Sequence, residues 1–362
     1  MNYTLYERKT IHMKKYIISP KLNWYRANMH CHTTVSDGSL TPEQVKEEYK
    51  KMGYSIVAYT DHEIIREHND LTDDEFLAIT SSEFSINDSK SCFDLPEGQY
   101  MDAWRSKKVV HLGIYAKDKN NVFHPATNGD TFNWWKANGK DVGEVEYDGY
   151  TREYTLESIN ETIKRLNERG FLVSLNHPNW SLNDMNDYLN IKGLWSLEIL
   201  NYATERISGA EYCPYIYDHM VRSGKNINLF CNMGDDNHNR GGSLDHSFGG
   251  STIIGAKELE YGQIMESLES GNFYCASGKN PPKINSIYVE DNVIKIDCSP
   301  ATDVFVTGLG RNFRFAQTNG GEVTHAEFKL DTQDIMFRIT VRDRYGNNAH
   351  THYYKVDDFI TK

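Results

Sequence analysis

The stretch MHCHTTVSDGSLTPEQVKEEYKKMGYSIVAYTDHE, residues 29–63, carries a strand, a helix and a second strand in immediate succession. The apolar runs ANMHC (27–31) and SIVAYT (55–60) read as strands. Between them, Thr41-Pro42-Glu43-Gln44 supplies an N-cap, a proline at the first helical position and a capping-box glutamine, and Gly53 closes the helix. His30 and His32 sit at the end of the first strand, Asp37 lies in the loop before the helix, and Asp61-His62 ends the second strand. A lone His-x-His is weak evidence for a metal, so the rest of the chain decides its weight.

Working outward, the same texture continues. Short apolar runs recur at 76–82, 109–116, 171–176, 194–200, 227–233 and 251–255, interleaved with helical patterns at about 155–169, 212–223 and 258–270. Near-continuous apolar strands alternating with helices predict parallel strands covered by helices. Segments 84–108 and 117–150 are rich in Asn, Asp, Gly and Trp without clear periodicity and read as long loops shaping a pocket. After Pro281-Pro282, alternating strands separated by Gly, Asn and Asp turns predict a small all-β, sandwich-like module. The expected division is an N-terminal extension (1–23), an α/β domain (24–282) and a β module (283–362).

The 362 residues accommodate a barrel-sized domain plus a smaller one, and 39% apolar with 12% aromatic residues suit a globular enzyme with a sizeable core. The net charge of −12, from 39 basic and 51 acidic residues, argues against a nucleic-acid partner, because phosphate backbones need clustered cations. It does not exclude an anionic substrate, since bound cations reverse a local field. The six cysteines form no C-x-x-C pair, which fits reduced thiols rather than a disulfide framework. No long apolar run opens the chain, so neither a signal peptide nor a membrane span is expected, and the cytoplasm is the default location. Nothing in the sequence sets the oligomeric state.

The polar residues at the strand ends carry the chemistry. His30, His32, Asp37, His62, Glu83, His111, His177, Asp236 and His238 lie at or near the ends of successive apolar runs. Parallel strands in a β/α barrel bring such ends to one face. Imidazole and carboxylate together suit Zn, Mn or Fe, and nine donors exceed one tetrahedral ion, so two or three divalent ions are implied. Each residue alone has a plainer explanation: a histidine beside a strand is more often a hydrogen-bonded surface group, and Asp61 suits a helix N-cap. It is their coincidence that favours a metal cluster.

At these residues the chain resembles a known family. Residues 29–63 resemble the first two motifs of the PHP (polymerase and histidinol phosphatase) family, and SSEFS, HLGIYA, NHP and GDDNH are similar to its later motifs in the right order. The resemblance spans about residues 24–280 and implies a distorted seven-stranded, TIM-like β/α barrel, a trinuclear metal site and phosphoester hydrolysis. It carries the nine residues over as metal ligands, with Glu83 bridging; Asp235 beside Asp236 leaves a one-residue ambiguity. The expected enzyme hydrolyses a small phosphate ester, phosphomonoester or nucleotide-like, with His62, Asp37 and His238 at the reaction. Arg240 and Arg206 are candidate phosphate partners and His246 a further polar candidate; for each, a salt bridge or a solvated loop is an equally good account. Trp134 and Trp135, in TFNWWKANGKD (131–141), stand ready to stack on a base or sugar, or only to pin a loop. Two rivals remain: hydrolysis of a non-phosphate ester or carbamate at the same metals, and a non-catalytic carbohydrate- or partner-binding protein.

Overall fold

The computed structural model describes residues 14–92, 103–127, 129–143 and 147–360. Residues 1–13 of the expected N-terminal extension, and 93–102, 128 and 144–146 of the two expected loops, lie outside these. The chain begins with strands β1 (Lys15–Ile18) and β2 (Asn23–Asn28), helix α1 (Pro42–Lys51) and strand β3 (Ile56–Tyr59). The Thr41 side chain accepts from the Gln44 N–H, and the Gln44 side chain accepts from the Thr41 N–H, closing the capping box at the predicted place.

Strand β4 (Leu77–Ser91) is followed by β5 (Lys107–Ala116), β6 (His124–Thr127), α2 (Gly129–Ala137), β7 (Tyr147–Thr151), α3 (Leu156–Glu168) and β8 (Phe171–Leu175). The short α4 (Met185–Tyr188), β9 (Ser196–Asn201), α5 (Tyr202–Ser208), α6 (Pro214–Arg222), β10 (Phe230–Gly234), β11 (Gly250–Ala256), α7 (Tyr261–Ser270) and β12 (Phe273–Ser277) follow. In α3, Ile159, Ile163 and Leu166 recur at helical spacing and bury one face among Val173 and Leu175 of the core.

The expectation of parallel strands holds for β2/β3, β3/β4, β8/β9 and β9/β10. It fails for β5, which runs antiparallel to both β4 and β8, and for β11, antiparallel to β2 and β12. Among the described residues only a single 3-10 turn, Ala103–Ser106, lies between β4 and β5. A strand that returns without a crossover helix must pair antiparallel. The predicted loop 84–108 is correspondingly wrong at both ends: Phe84 and Ile86 are buried and alternate with Ser85 and Asn87, so β4 continues through them. The predicted loop 117–150 contains β6, α2 and β7, and its tryptophans sit on α2.

The C-terminal part comprises β13 (Ile284–Glu290), β14 (Val293–Ala301), β15 (Asp303–Gly308), β16 (Phe313–Gln317), β17 (Val323–Lys329), β18 (Met336–Arg342), β19 (Asn348–His350) and β20 (Tyr354–Lys355). Four strands form one sheet in the order β1-β13-β14-β17, so β1 joins the C-terminal strands rather than standing apart. The order β12-β19-β18-β15-β16 continues the larger sheet. Ile287 and Ile296 from one sheet, and Val304, Ile339 and Val341 from the other, share a single apolar cluster. No helix among the described residues is long and apolar enough to cross a membrane.

Arg338 on β18 ties this part to α6. Its guanidinium meets the Asp218 carboxylate through Nε at 2.8 Å and Nη2 at 2.9 Å, and Nη1 donates to Thr340. Removing the carboxylate strands a largely buried cation. Asp218→Ala is therefore expected to destabilise the chain by about 3 kcal/mol, read as a lower midpoint in urea unfolding.

Candidate metal centre

His30 and His32 follow β2 on extended backbone, which turns both rings to the same side. That segment is clamped to the end of β10: Asp236 N–H donates to His30 O (2.8 Å) and His32 N–H to Asn237 O (3.1 Å). Gly234 makes the close approach possible, since a Cβ there would lie 2.6 Å from His30 Cβ and 2.8 Å from Glu198 Oε1. Asp37 hangs from the loop after His32. Asp61 holds that loop by accepting from Thr33 N (2.8 Å), Thr33 Oγ1 (2.8 Å), Ser36 N (3.0 Å) and Ser36 Oγ (2.7 Å). Asp61 therefore anchors a loop and caps no helix.

His62 and Glu83 face each other across a bridge between neighbouring extended segments. His111 sits mid-strand in β5, opposite Ser85. Because β5 is reversed, its N-terminal half reaches the face where the parallel strands end. His177 and Asp236 occupy positive-φ positions (23° and 53°) just beyond β8 and β10. Such conformations are sparsely populated for non-glycine residues and persist where the surroundings hold them. The Asp235/Asp236 ambiguity resolves in space. Asp235 turns away, accepting from Tyr49 Oη and the backbone N–H groups of Phe248, Gly249 and Gly250, whereas Asp236 faces the histidines.

All nine predicted donors converge. They form three overlapping groups: His32, Asp37, His62 and His238; His30, His32, Glu83 and Asp236; and Glu83, His111 and His177. Glu83 is the hub. Its Oε1 lies 3.2 Å from His30, 3.2 Å from His111 and 3.1 Å from His177; its Oε2 lies 3.2 Å from His62 and 3.4 Å from His32. Asp236 Oδ1 is 2.9 Å from His32 Nε2 and 3.5 Å from His238 Nδ1, and Asp37 Oδ1 is 3.3 Å from His238 Nε2.

Charge must balance inside this buried cluster. Burial by itself disfavours imidazolium, but Asp236 and Glu83 override it at His32 and push that ring up to about 10; Glu83 does the same at His177, up to about 9. At His62, burial and the adjacent His32 charge push the ring down to about 3, leaving it neutral. Burial would raise the Glu83 and Asp236 carboxyls, yet the surrounding imidazoles hold both well below the usual carboxylate range. Despite burial, Glu83 Oε2, Asp236 Oδ1 and His32 Nδ1 make no hydrogen bond among the described residues. Orphaned carboxylate oxygens amid imidazole nitrogens fit divalent transition ions, which replace protons as the counter-charge.

An outer ring orients these groups. Glu198, fully buried, meets His30 Nδ1 at 3.0 Å and accepts from His177 N (3.1 Å) and Asn201 Nδ2 (3.0 Å). Asn201 Nδ2 also donates to Asp236 Oδ2, and Asn176 Nδ2 to Glu83 Oε1 (2.9 Å). Ser181 meets His177, and Ser85 meets His111. Sequence reasoning missed Glu198 and Asn176. The available signal for Glu198 was a lone carboxylate inside the apolar run LWSLEIL (194–200).

Two cavities open over the cluster. One of about 580 Å³ is lined by Asp37, His62, Glu83, His111, Asp236, His238, Arg240 and His246; a second, of about 1200 Å³, shares Asp37, His62, His111 and Trp180 with it and adds Arg105, Lys107 and Trp134. Arg240 is 76% exposed at the lip, 3.6 Å from Asp37. Arg206 is exposed on α5 and lines neither cavity, its helix contributing Ala203, Thr204 and Ile207 instead. Trp135 is buried against Ile64 and Val142, so of the predicted tryptophan pair only Trp134 presents its ring openly. Trp180, not singled out from the sequence, lies 5.1 Å from the His177 ring and 5.6 Å from the His111 ring.

No family model matches the chain, and no curated protein does. Among solved structures it is similar to a two-domain protein containing a predicted PHP-like metal-dependent phosphoesterase from Bacteroides vulgatus, over 92% of this chain and 95% of the other, at 12% identity and a TM-score of 0.43. It is also similar to a candidate metal-dependent phosphoesterase from Bifidobacterium adolescentis, over 59% of this chain and 87% of the other, at 16% identity and a TM-score of 0.36. An amidohydrolase from Chromobacterium violaceum with bound sulfate and no metal matches over the same shares, at 12% identity and a TM-score of 0.37.

The raised histidines set a pH dependence. Without metal, the stability from protonated His32 and His177 is complete below the ordinary histidine value near 6.5 and is lost as pH rises through about 9 and 10. Metal binding must displace those protons, so at neutral pH it releases protons and tightens as pH rises. Calorimetric titration with Mn²⁺ in two buffers of different ionisation enthalpy measures this directly. Glu198→Gln weakens the hold on His30 and is expected to lower metal affinity about 10–100-fold, read by competition with a chelating indicator.

Proposed function

We propose that this chain is a metal-dependent phosphoesterase of the PHP type, hydrolysing a small phosphate ester at two or three divalent ions, Zn, Mn or Fe. The observation that carries this is the gathering of nine imidazole and carboxylate donors around the buried carboxylate of Glu83, with Glu83 Oε2 and Asp236 Oδ1 facing imidazoles without a hydrogen bond. We read β2, β3, β4, β5, β8, β9 and β10 as the seven strands of a distorted barrel, closed where residues 30–32 bond residues 236–237. The β module after residue 282 is read as a separate domain.

His30, His32, Asp37, His62, Glu83, His111, His177, Asp236 and His238 would hold the ions. Ions bound there supply an acidified water and positive charge against phosphate oxygens. The chain's own groups do the rest. His62 and His238 are the ring donors most open to the cavity, each 19% exposed at the side chain, and Asp37 joins them at its floor. His62, held neutral, keeps a lone pair for a cation and is not an imidazolium acid at pH 7. Glu198 and Asn176 fix the donor rings and Glu83, while Asp61 keeps Asp37 over the cluster. Arg240 at one lip, and Arg105 and Lys107 in the adjoining cavity, offer cations to an incoming phosphate. Arg206 is kept only as a more distant electrostatic contribution from α5.

Cavities of these sizes suit a small molecule. The net charge of −12 weighs against a nucleic-acid substrate. Elemental analysis of the purified chain is expected to return two to three transition-metal equivalents. A panel of phosphomonoesters, phosphodiesters and carboxylic esters is expected to show turnover of phosphomonoesters. Glu83→Gln and His62→Ala are each expected to lower kcat/KM roughly a hundredfold or more. Turnover of carboxylic esters or carbamates alone would replace the phosphoester assignment, and fewer than two equivalents after reconstitution would remove its basis.

A further inference from the structure

We infer that the cavity where the C-terminal strands meet the start of β2 and β3 is a second ligand site, which takes a small organic anion with a flat apolar body. It is separate from the metal centre and does not depend on the phosphoesterase reading.

The cavity measures about 620 Å³. Its walls come from Trp24 and Arg26 of β2, the turn at Met52-Gly53, Ile253 of β11, Tyr274 of β12 and the segment 279–285. His30 and His32 follow the end of β2, and His62 follows the end of β3. The cavity therefore opens at the start of the two strands, away from the metal donors at their ends.

Its charge differs from that of the rest of the chain. The cavities over the metal centre mix carboxylates with cations, in keeping with a net charge of −12. Arg26, Lys279 and Lys283 line this one, and no carboxylate does. Arg26 directs its N–H groups at neutral acceptors only. Nε donates to Ser251 Oγ (2.9 Å), Nη1 to the carbonyls of Met52 (3.2 Å) and Lys279 (3.1 Å), and Nη2 to those of Phe248 and Gly278 (both 3.1 Å). These bonds fix Met52 and Lys279 at the cavity wall and leave the guanidinium charge without an ion pair. Lys279 and Lys283 are exposed and form no ion pair among the described residues. A concave surface lined by one sign of charge concentrates ions of the other sign.

The opposite wall is flat and apolar. The rings of Trp24 and Tyr274 lie 5.7 Å apart at 47°, and Pro281 and Pro282 complete the wall. Trp24 Nε1 donates to Ser19 O at 3.0 Å, which fixes the indole. Tyr274 is only 4% exposed. Its hydroxyl accepts from Ile284 N–H at 3.3 Å and donates to no acceptor among the described residues. A buried hydroxyl keeps its proton for a partner, and an anionic oxygen in this cavity would supply one. An apolar wall with a few placed polar groups, at a junction between two parts of a chain, is the usual make-up of a small-molecule site.

Calorimetric titration of the full chain as purified tests the site. The probes are benzoate, indole-3-acetate and naphthalene-2-sulfonate, with acetate as the anion lacking a ring and indole as the ring lacking a charge. At least one flat anion is expected to bind with a Kd below about 1 mM, and about tenfold or more tighter than acetate and indole. Replacing both lysines, Lys279→Ala with Lys283→Ala, is expected to weaken that binding about tenfold. Tyr274→Phe, which keeps the ring, should weaken it about threefold or more. The lysines are exposed, so an unchanged thermal midpoint is expected for the double variant and separates lost binding from lost structure. Binding that the double variant leaves intact would place the anion elsewhere and overturn the inference. So would equal affinity for acetate or indole, or no binding of the three flat anions at about 10 mM.

Discussion

A carboxylate with no exposure to water, surrounded by imidazoles, is the constraint on which the active face depends. Glu83 lies within 3.4 Å of ring nitrogens from five histidines, which come from four different stretches of chain. An isolated buried charge is prohibitively costly, so this carboxylate is stable only with cationic partners in contact. Protons on His30, His32 and His177 supply that charge in the bare protein, and metal ions would supply it more completely. The same electrostatics that stabilise the bare fold therefore prepare a cation site.

The backbone serves that constraint. Parallel strands bring the ends carrying His30, His32, His62, His177 and Asp236 to one face, while β4 and the reversed β5 deliver Glu83 and His111 from mid-strand. Strained backbone at His177 and Asp236, and a glycine at 234, mark where the chain is bent to fit. Glu198, Asn201 and Asp61 take up the hydrogen bonds that keep the bends from relaxing. Around this rigid centre the cavities are bounded by residues that vary in chemistry, from Arg240 at one lip to Trp180 at the other side.

Much of the cluster was legible because few residue types, His, Asp and Glu among them, make good metal donors, and because strand ends in an interleaved α/β pattern share a face. The nine residues, most of them at or near run ends, lie together in three dimensions, including His111, whose strand runs opposite to expectation. The β4–β5 hairpin was not foreseen, since the polar half of the alternation Phe84-Ser85-Ile86-Asn87 resembles a loop when read residue by residue. Residues 117–150 show no long periodic apolar face, and Trp135 finds its burial locally, on Ile64 and Val142. Glu198 and Trp180 escaped notice for a different reason. Their importance comes from neighbours distant in sequence, and no local spacing records it. Asp61 was the converse case, a residue beside a donor whose work is to hold a loop.

The central claim is that Glu83 stands at the heart of a cluster of divalent ions. Anomalous diffraction from crystals of the full chain grown with Mn²⁺ and measured near the manganese absorption edge addresses it most directly. The account predicts two or three anomalous peaks, with Glu83 ligating at least two of them and the remaining ligands drawn from the other eight donors. An absence of peaks within bonding reach of Glu83, with manganese bound elsewhere or not at all, would contradict it.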